Sequence, residues 1–294
     1  MGLPMALNLR NAGYSLRVYN RTAHKTQPLA DAGATICDSP QEAAAGAAIV
    51  ITILANDAAV EEVTAGEDGI LNSLEAGGIH LSMSTIYPET ARRLSALHDL
   101  RDSVYLGAPV YGRPPAAASG NLWMLLSGDA TARQKVRPVL DTLGRGVYEF
   151  GDDPGAAHAV KVCGNFLIGA AIAGMAEAYT LAEKSGVDRG AFHEFLTETI
   201  LAAPVYQVYG KLIATENYRE VGFALPLGQK DIALAQRLGM ETQTPLPLAN
   251  LVQERLTASR ARGRDDLDWA GFALEVSEAA GLAADRFEET PAQD

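Results

Sequence analysis

Cysteine, histidine and basic residues are all scarce in this chain, and each scarcity argues against a class of chemistry. The two cysteines, Cys37 and Cys163, stand far apart and in no metal-like pattern. They suggest no disulfide framework, and a reducing, cytoplasmic compartment fits them best. The five histidines are scattered with no His-x-x-x-His pair, so no metal site is expected. Lysine and arginine total 24 against 36 aspartates and glutamates, a net charge of −12. Without a basic patch to counter phosphate repulsion, nucleic acid is not an expected partner. No apolar stretch reads as long and pure enough to span a bilayer, so no membrane association is expected. The opening Met1-Gly2-Leu3-Pro4 lacks the basic start of a signal peptide. What is present is ordinary for a globular protein, with 48% hydrophobic and 20% charged residues. At 294 residues the chain is long for one small core and suggests two domains.

The first half alternates helical and strand-like segments. Leu3 to Asn11 predicts a helix stopped by Ala12-Gly13, and Ser15 to Tyr19 a short strand. Thr22 is placed to cap a helix running to Asp31, with Gly33 as its stop. Ser39-Pro40-Gln41-Glu42 has the form of a capping box with proline at the first helical position. Ala48 to Leu54 is continuously apolar and β-branched, as expected of a strand buried on both faces. Further strands are expected at Ile79–Met83, Val104–Leu106, Leu122–Leu126 and Val147–Phe150, with helices at about Ala58, Pro88–Leu100 and Thr131–Leu143. Strands separated by such helices predict a doubly wound, parallel α/β sheet.

The second half holds no convincing strand. One long helix is expected from Ala156 to Ser185, then helices near Asp188–Leu201, Pro204–Thr215, Leu227–Leu238, Leu246–Arg262 and Asp268–Ala280. The expected layout is thus an α/β domain over 1–153 and an all-α domain over 154–284, joined by the long helix. Residues 285–294 form a polar tail expected to fray.

Lys161 and Asn165 stand out on the long helix. They lie four residues apart and so share one face, in a stretch too apolar for a surface helix. They either point into a cleft or carry a desolvation cost with nothing to offset it. A lysine in a partly dry cleft has its charged form disfavoured and can exchange a proton near neutrality. A lysine snorkelling at a helix start is the other reading of the same run.

The beginning of the chain is unusual for a doubly wound domain, which should open on a strand feeding a glycine-rich turn. Here the sequence opens on a helix, with Gly2 in the place of the third glycine of Gly-x-Gly-x-x-Gly. The expected first strand and first two glycines are missing, as a misplaced start or a shortened chain would produce. Ile49 and Ile51 would then be exposed, and the pyrophosphate would lack backbone N–H partners, so weak cofactor binding is expected. Nineteen residues separate Gly2 from Arg21, near the roughly 20 expected between fingerprint and ribose contact. No carboxylate stands there, and a guanidinium suits the 2′-phosphate of NADP. A surface arginine in a loop is the alternative.

Six segments in order resemble the β-hydroxyacid dehydrogenases. This family includes 3-hydroxyisobutyrate dehydrogenase, tartronate semialdehyde reductase, glyoxylate/succinic semialdehyde reductases and, more distantly, 6-phosphogluconate dehydrogenase. Met1 to Leu9 resembles the end of its glycine-rich turn, and Val18-Tyr19-Asn20-Arg21-Thr22 its NADP-leaning second strand. Ile53 to Val60 resembles the loop under the cofactor, and Ser84-Thr85-Ile86-Tyr87-Pro88 the segment whose threonine lies near the nicotinamide. Lys161 and Asn165 fall on the catalytic lysine and substrate-binding asparagine, and Phe223 to Ile232 on a late Lys-Asp motif whose lysine closes over the cofactor. The resemblance spans residues 1 to about 280. It implies a Rossmann-like domain, NADP as cofactor with NAD possible, and a homodimer or homotetramer formed through the helical domain.

Carried onto this chain, the resemblance implies Lys161 and Asn165 as catalytic residues. It implies cofactor contacts at Gly2, Leu3, Pro4, Met5, Asn20, Arg21, Thr22, Leu54, Ala55, Ala59, Thr85 and Lys230. Substrate contacts are implied at Ser84, Tyr111, Gly112, Arg113 and Asn165. The substrate loop departs from the family pattern, because Tyr111 and Arg113 replace a serine and a glycine. Arg113 can take a substrate carboxylate in a bidentate pair or pair with a surface acid. The expected activity is hydride transfer between nicotinamide and a short β-hydroxy or semialdehyde acid. Two other readings stand: an imine reductase, against which Lys161 argues, and a non-catalytic scaffold, against which Lys161, Asn165 and Lys230 argue together.

Overall fold

The computed structural model describes residues 1–282. The expected frayed tail at 285–294, and the end of the helical domain at 284, lie outside the described residues. Compactness divides the chain into Met1–Val162 and a second unit from Cys163 onward, so the division falls inside one long helix. The sequence reading placed its boundary in the turn ahead of that helix.

In the first unit α1 (Gly2–Asn11) leads to β1 (Arg17–Val18), then through a 3₁₀ turn (Ala23–Thr26) to α2 (Gln27–Asp31) and β2 (Thr35–Ile36). There follow α3 (Pro40–Ala44), β3 (Ile49–Thr52), α4 (Asp57–Ala65), β4 (Ile79–Ser82), α5 (Pro88–Asp99) and β5 (Val104–Gly107). The unit continues with β6 (Val110–Tyr111), α6 (Pro114–Ala118), β7 (Leu122–Gly128), α7 (Ala130–Leu143) and β8 (Gly144–Glu149). Local chemistry explains several starts. Ser39 Oγ accepts from the Glu42 amide at 3.0 Å, and Glu42 Oε2 accepts in return from the Asp38 amide at 2.8 Å. The reciprocal cap therefore forms, with its return bond one residue earlier than a capping box requires. Thr22 precedes the 3₁₀ turn, yet its side chain makes no cap bond.

The strands form two sheets. β1 and β2 pair in parallel by themselves. β3, β4 and β5 run parallel in that order. β7 then runs antiparallel to β5 and β6, which lie end to end along one side of it, while β8 pairs in parallel on its other side. The doubly wound parallel sheet expected from sequence is present, with a mixed region at one end. β3 lies at the end of its sheet, and Ile49, Val50 and Ile51 are half-buried. This corrects the expectation of a strand covered on both faces: among the described residues β3 is an end strand, and its apolar side chains are only partly enclosed. Beneath α1 the core gathers Met5 and Leu9 with Leu81, Leu106, Met124, Leu126, Val136 and Leu140.

The second unit is helical. It comprises most of α8 (Ala156–Lys184), then α9 (Arg189–Glu198), α10 (Pro204–Thr215), α11 (Leu225–Glu241), α12 (Pro247–Ala261) and α13 (Ala273–Ala279), the last entered by a 3₁₀ turn at Trp269–Phe272. Among the described residues of this unit the only β pairing is an isolated bridge between Ala224 and Asp268. Its core packs Ile172, Met175, Tyr179, Ile213, Ile232, Val252, Leu256, Trp269 and Phe272. By length and composition α8 does reach the range of a membrane-crossing helix, which corrects the sequence reading that no stretch does. The reading missed it because alanine and glycine, rather than leucine and isoleucine, make up much of its apolar length. Mostly buried core helices of water-soluble folds meet the same criterion.

Candidate active site

The carboxyl ends of β3, β4 and β5 carry the loops on which the site residues of the first unit sit, which is where open α/β sheets bind ligands. Two hydrogen bonds tie the first two loops together. The Leu54 amide donates to Ser84 Oγ at 2.8 Å, and the Tyr87 amide donates to Asp57 Oδ1 at 2.8 Å. Asn56 caps α4 through the Ala59 amide at 2.9 Å. Ser84 is buried and works as a brace between loops rather than as an open hydroxyl. Ala55 is exposed, while Leu54, Ala59 and Thr85 are half-buried.

At the amino end the structure places Gly2 against the same edge. A side chain on Gly2 would lie 3.2 Å from Ile53 Cγ2, so the absence of Cβ permits close approach of helix and strand. Met1 supplies no side-chain cap to α1, and Leu3 and Pro4 stand at the helix start, exposed and half-buried. Met5 points the other way, into the core, and packs rather than contacts a ligand. Its side chain is not offered to a cofactor, because the fourth helical position of α1 faces the core. Asn20 and Arg21 are exposed beyond β1, and Asn20 Nδ2 donates to the Thr22 carbonyl at 2.9 Å. A helix amino terminus with no side-chain cap and an exposed guanidinium beyond the next strand suit the phosphates of a dinucleotide, so the residues present fit that group.

Lys161 is held by the way α8 begins. The Ala157 amide donates to Ser127 Oγ at 3.0 Å, and Ser127 donates to the Pro154 carbonyl at 3.1 Å. Ahead of the helix Asp153 takes a bidentate pair from Arg92, at 3.0 and 2.7 Å, and accepts from the Gly155 amide. The guanidinium holds the Asp153 carboxyl below its usual range. These bonds fasten the first turn of α8 to β7 and α5. Lys161 lies on the next turn at 7% exposure, its ammonium 3.6 Å from the centre of the Tyr111 ring. Gly112 is exposed, and Arg113 is half-buried at the start of α6.

Asn165, 4% exposed, lies one turn further along α8. Its Nδ2 donates to Asp231 Oδ2, and the fully buried Asp231 also pairs with Lys230 at 2.8 Å. Sequence reasoning named Lys230 and Asn165 but missed Asp231, which links them. The Lys-Asp motif drew attention to its lysine, and the aspartate was given no role of its own. The signal lay in its spacing: Asp231 and Ile232 sit among Gly228, Leu234 and Ala235 on the buried face of α11.

A second constellation was also missed. Thr52 Oγ1 meets His80 Nε2 at 2.9 Å, His80 Nδ1 meets His98 Nε2 at 3.0 Å, and His98 Nδ1 meets Ser103 Oγ at 2.8 Å. The Ser103 hydroxyl also reaches the His98 carbonyl at 3.3 Å, which fixes one consistent direction. Thr52 donates to His80, His80 to His98, His98 to Ser103, and Ser103 to the carbonyl, with both imidazoles neutral. Burial pushes His98 down to about 4, and burial followed by the neighbouring His98 pushes His80 well below the usual histidine value. Burial raises the Tyr105 phenol, whose ring edge meets His80.

Comparison with known proteins agrees with this geometry. Residues 1–151 match the NAD binding domain of 6-phosphogluconate dehydrogenase, and residues 155–274 match the NAD-binding region of NADP-dependent 3-hydroxyisobutyrate dehydrogenase. The chain is 41% identical to the uncharacterized oxidoreductase YfjR of Bacillus subtilis (strain 168), over 92% of its own length and 95% of the relative's. It is 33% identical to the 3-hydroxyisobutyrate dehydrogenase of Pseudomonas aeruginosa, over 86% and 87% of the two chains. The crystal structure of 3-hydroxyisobutyrate dehydrogenase from Salmonella typhimurium superposes with a TM-score of 0.85 at 25% identity, covering 93% of this chain and 95% of that one. The chain belongs to the 3-hydroxyisobutyrate dehydrogenase family of NAD(P)-dependent β-hydroxyacid oxidoreductases.

Proposed function

We propose that this protein transfers a hydride between NADP and a short carboxylic acid bearing a β-hydroxyl or aldehyde, with Lys161 as acid–base group. One observation carries the reading: a lysine and an asparagine, both over nine-tenths buried, share one face of α8 a single turn apart. Burying a lysine costs a fold stability, and a lysine at this depth beside a buried asparagine is the pattern of a working site.

When bound, the dinucleotide supplies the hydride in reduction and accepts it in oxidation. In reduction the Lys161 ammonium gives its proton to the carbonyl oxygen as the C–H bond forms, and the amine regains a proton from solvent. In oxidation the neutral amine takes the hydroxyl proton. Asn165 fixes the angle of the substrate oxygen through whichever amide atoms Asp231 leaves to it. One Nδ2 hydrogen goes to Asp231, which leaves the other hydrogen to meet a carbonyl and Oδ1 to meet a hydroxyl. Arg21 is proposed to favour NADP through the 2′-phosphate, and Lys230 to hold the cofactor. Arg113 is proposed to meet the substrate carboxylate.

The test is a spectrophotometric screen of glyoxylate, succinic semialdehyde, tartronate semialdehyde and methylmalonate semialdehyde, each with NADPH and NADH, and a cyclic imine beside them. Turnover of one acid with NADPH is expected. Lys161→Met should lower it by about 10²- to 10⁴-fold while cofactor affinity, read by NADPH fluorescence, stays nearly intact. An enzyme that reduced the aldehyde equally fast with methionine at this position would end the assignment, and turnover of the imine alone would move the protein to the imine reductases.

A further inference from the structure

We propose that Tyr111 is a positioning residue that acts through Lys161, its ring seating the ammonium and its hydroxyl fastening the helix turn that bears it. The inference rests on the reading of Lys161 as the acid–base group. By resemblance Tyr111 stands where relatives place a serine against the substrate, and three observations give it different work here.

The first is the ring. The Lys161 ammonium lies 3.6 Å from its centre, well inside the range at which a π face attracts a cation. Lysine carries four rotatable bonds, and a ring beneath its head group selects one of the many positions it could take. The contact also favours the charged form, which is the form that donates a proton in carbonyl reduction.

The second is the hydroxyl. It donates to the Lys161 carbonyl at 3.1 Å and reaches the Val160 carbonyl at 3.4 Å. A phenol has one proton, and here that proton is given to the backbone of α8. None is left for a substrate carboxylate, so the substitution removes the hydroxyl donor that serine offers in relatives.

The third is the base on which the ring stands. Tyr111 ends β6, in register with Trp123 of β7. Gly112 follows at φ +139°, and a side chain there would meet Leu122 at 2.6 Å, so only glycine lets the chain turn away directly after the tyrosine. The ring therefore approaches from a paired strand, while Lys161 approaches from a helix fastened at its first turn. Both partners are held by regular structure, which is what a precise contact requires.

The experiment uses the full chain labelled with ¹³C-lysine, and the Lys161 side-chain resonance is assigned by its loss in Lys161→Met. In the parent that resonance should carry an upfield ring-current shift. Tyr111→Phe should keep the shift, and Tyr111→Leu should lose it. The pH titration midpoint of the resonance should be unchanged in Tyr111→Phe and lower by about one pH unit in Tyr111→Leu. In the reduction assay Tyr111→Leu should lower kcat, leave KM for the acid nearly constant and move the alkaline limb of the profile to lower pH. A parent resonance without the ring shift would overturn the proposal, whether or not the leucine variant folds. So would equal midpoints in the parent and Tyr111→Leu. A rise in KM for the acid at constant kcat in Tyr111→Phe would show that the hydroxyl meets substrate instead. The titration needs no turnover, so a chain that reduced no acid would refute the proposed activity and leave the tyrosine result standing.

Discussion

Asp231 turns one end of the Asn165 amide into a fixed point. A carboxylate can only accept, so it holds Nδ2 toward itself and leaves Oδ1 facing the other way. Replacing Asp231 with asparagine keeps the volume but loses the charge-assisted bond, and the pair with Lys230 weakens with it. We expect Asp231→Asn to lower kcat by about 10- to 100-fold, since a misoriented substrate contact costs on that order. If the acid acts through Asn165, its effect and that of Asn165→Ala should fail to add in the double variant. Strict additivity in kcat/KM would show that Asp231 does something else. Ser84 makes a related point about residues at a ligand-binding edge. Its motif reads as a substrate contact, while its oxygen is used by the Leu54 amide to brace two loops.

Among the elements, the buried histidine pair gives β4 and α5 a pH dependence. Both imidazoles are neutral in the folded chain, and their folded values are lowered by burial. The unfolded chain takes up protons below about pH 6.5, whereas folded His98 does so only near 4. Stability is therefore lost as pH falls from about 6.5 toward 4, by up to about 1.4 kcal/mol per pH unit for each histidine. Urea midpoints at pH 5 and 7 should differ clearly in the parent and less in His98→Gln; equal differences would remove the histidines from the explanation.

The elements also show where sequence was readable. α8 and α10 could be bounded almost to the residue, because proline, glycine and capping positions mark helix ends. Gly186, at φ +81°, stands just beyond α8 and ends it, next to the expected end at Ser185. β6 and α6 were not read at all: a two-residue strand has no period, and Pro114-Pro115 looks like a loop. The antiparallel run of β7 was equally hidden, since strand direction leaves no mark on alternation. Lys161 and Asn165 were legible because polar groups on an apolar helix are conspicuous. His80, His98 and Asp231 were not, because the bonds that single them out, His80 to His98 and Asp231 to Asn165, span 18 and 66 residues of chain.

At the scale of the whole molecule, the helical unit leaves apolar side chains uncovered. Leu167, Gly174, Ala178 and Leu181 recur along one stripe of α8, and Leu181 is 69% exposed. Phe195 and Ile200 of the same unit are also exposed, and a depression of about 370 Å³ opens between Leu167, Met175, Leu196 and Tyr206. Surfaces of this kind mark contact sites. A homodimer or homotetramer is therefore the expected state, checked by sedimentation velocity. The species should weigh two or four times 31.1 kDa, and Leu181→Asp should shift it toward the monomer. A parent that sediments as a monomer at micromolar concentration would contradict this. A net charge of −12 per chain would keep molecules of this protein apart from one another in solution.

That repulsion has a weak spot in β3. Ile49-Val50-Ile51-Thr52 is uncharged, β-branched and, among the described residues, bonded to a neighbour on one side only. An outer strand of this kind offers its unused peptide groups to any extended chain that comes near, another molecule of the same protein included. Warm, concentrated or salted solutions, where the acidic surface no longer keeps neighbours at a distance, should therefore cloud and bind thioflavin T well before the helical unit melts.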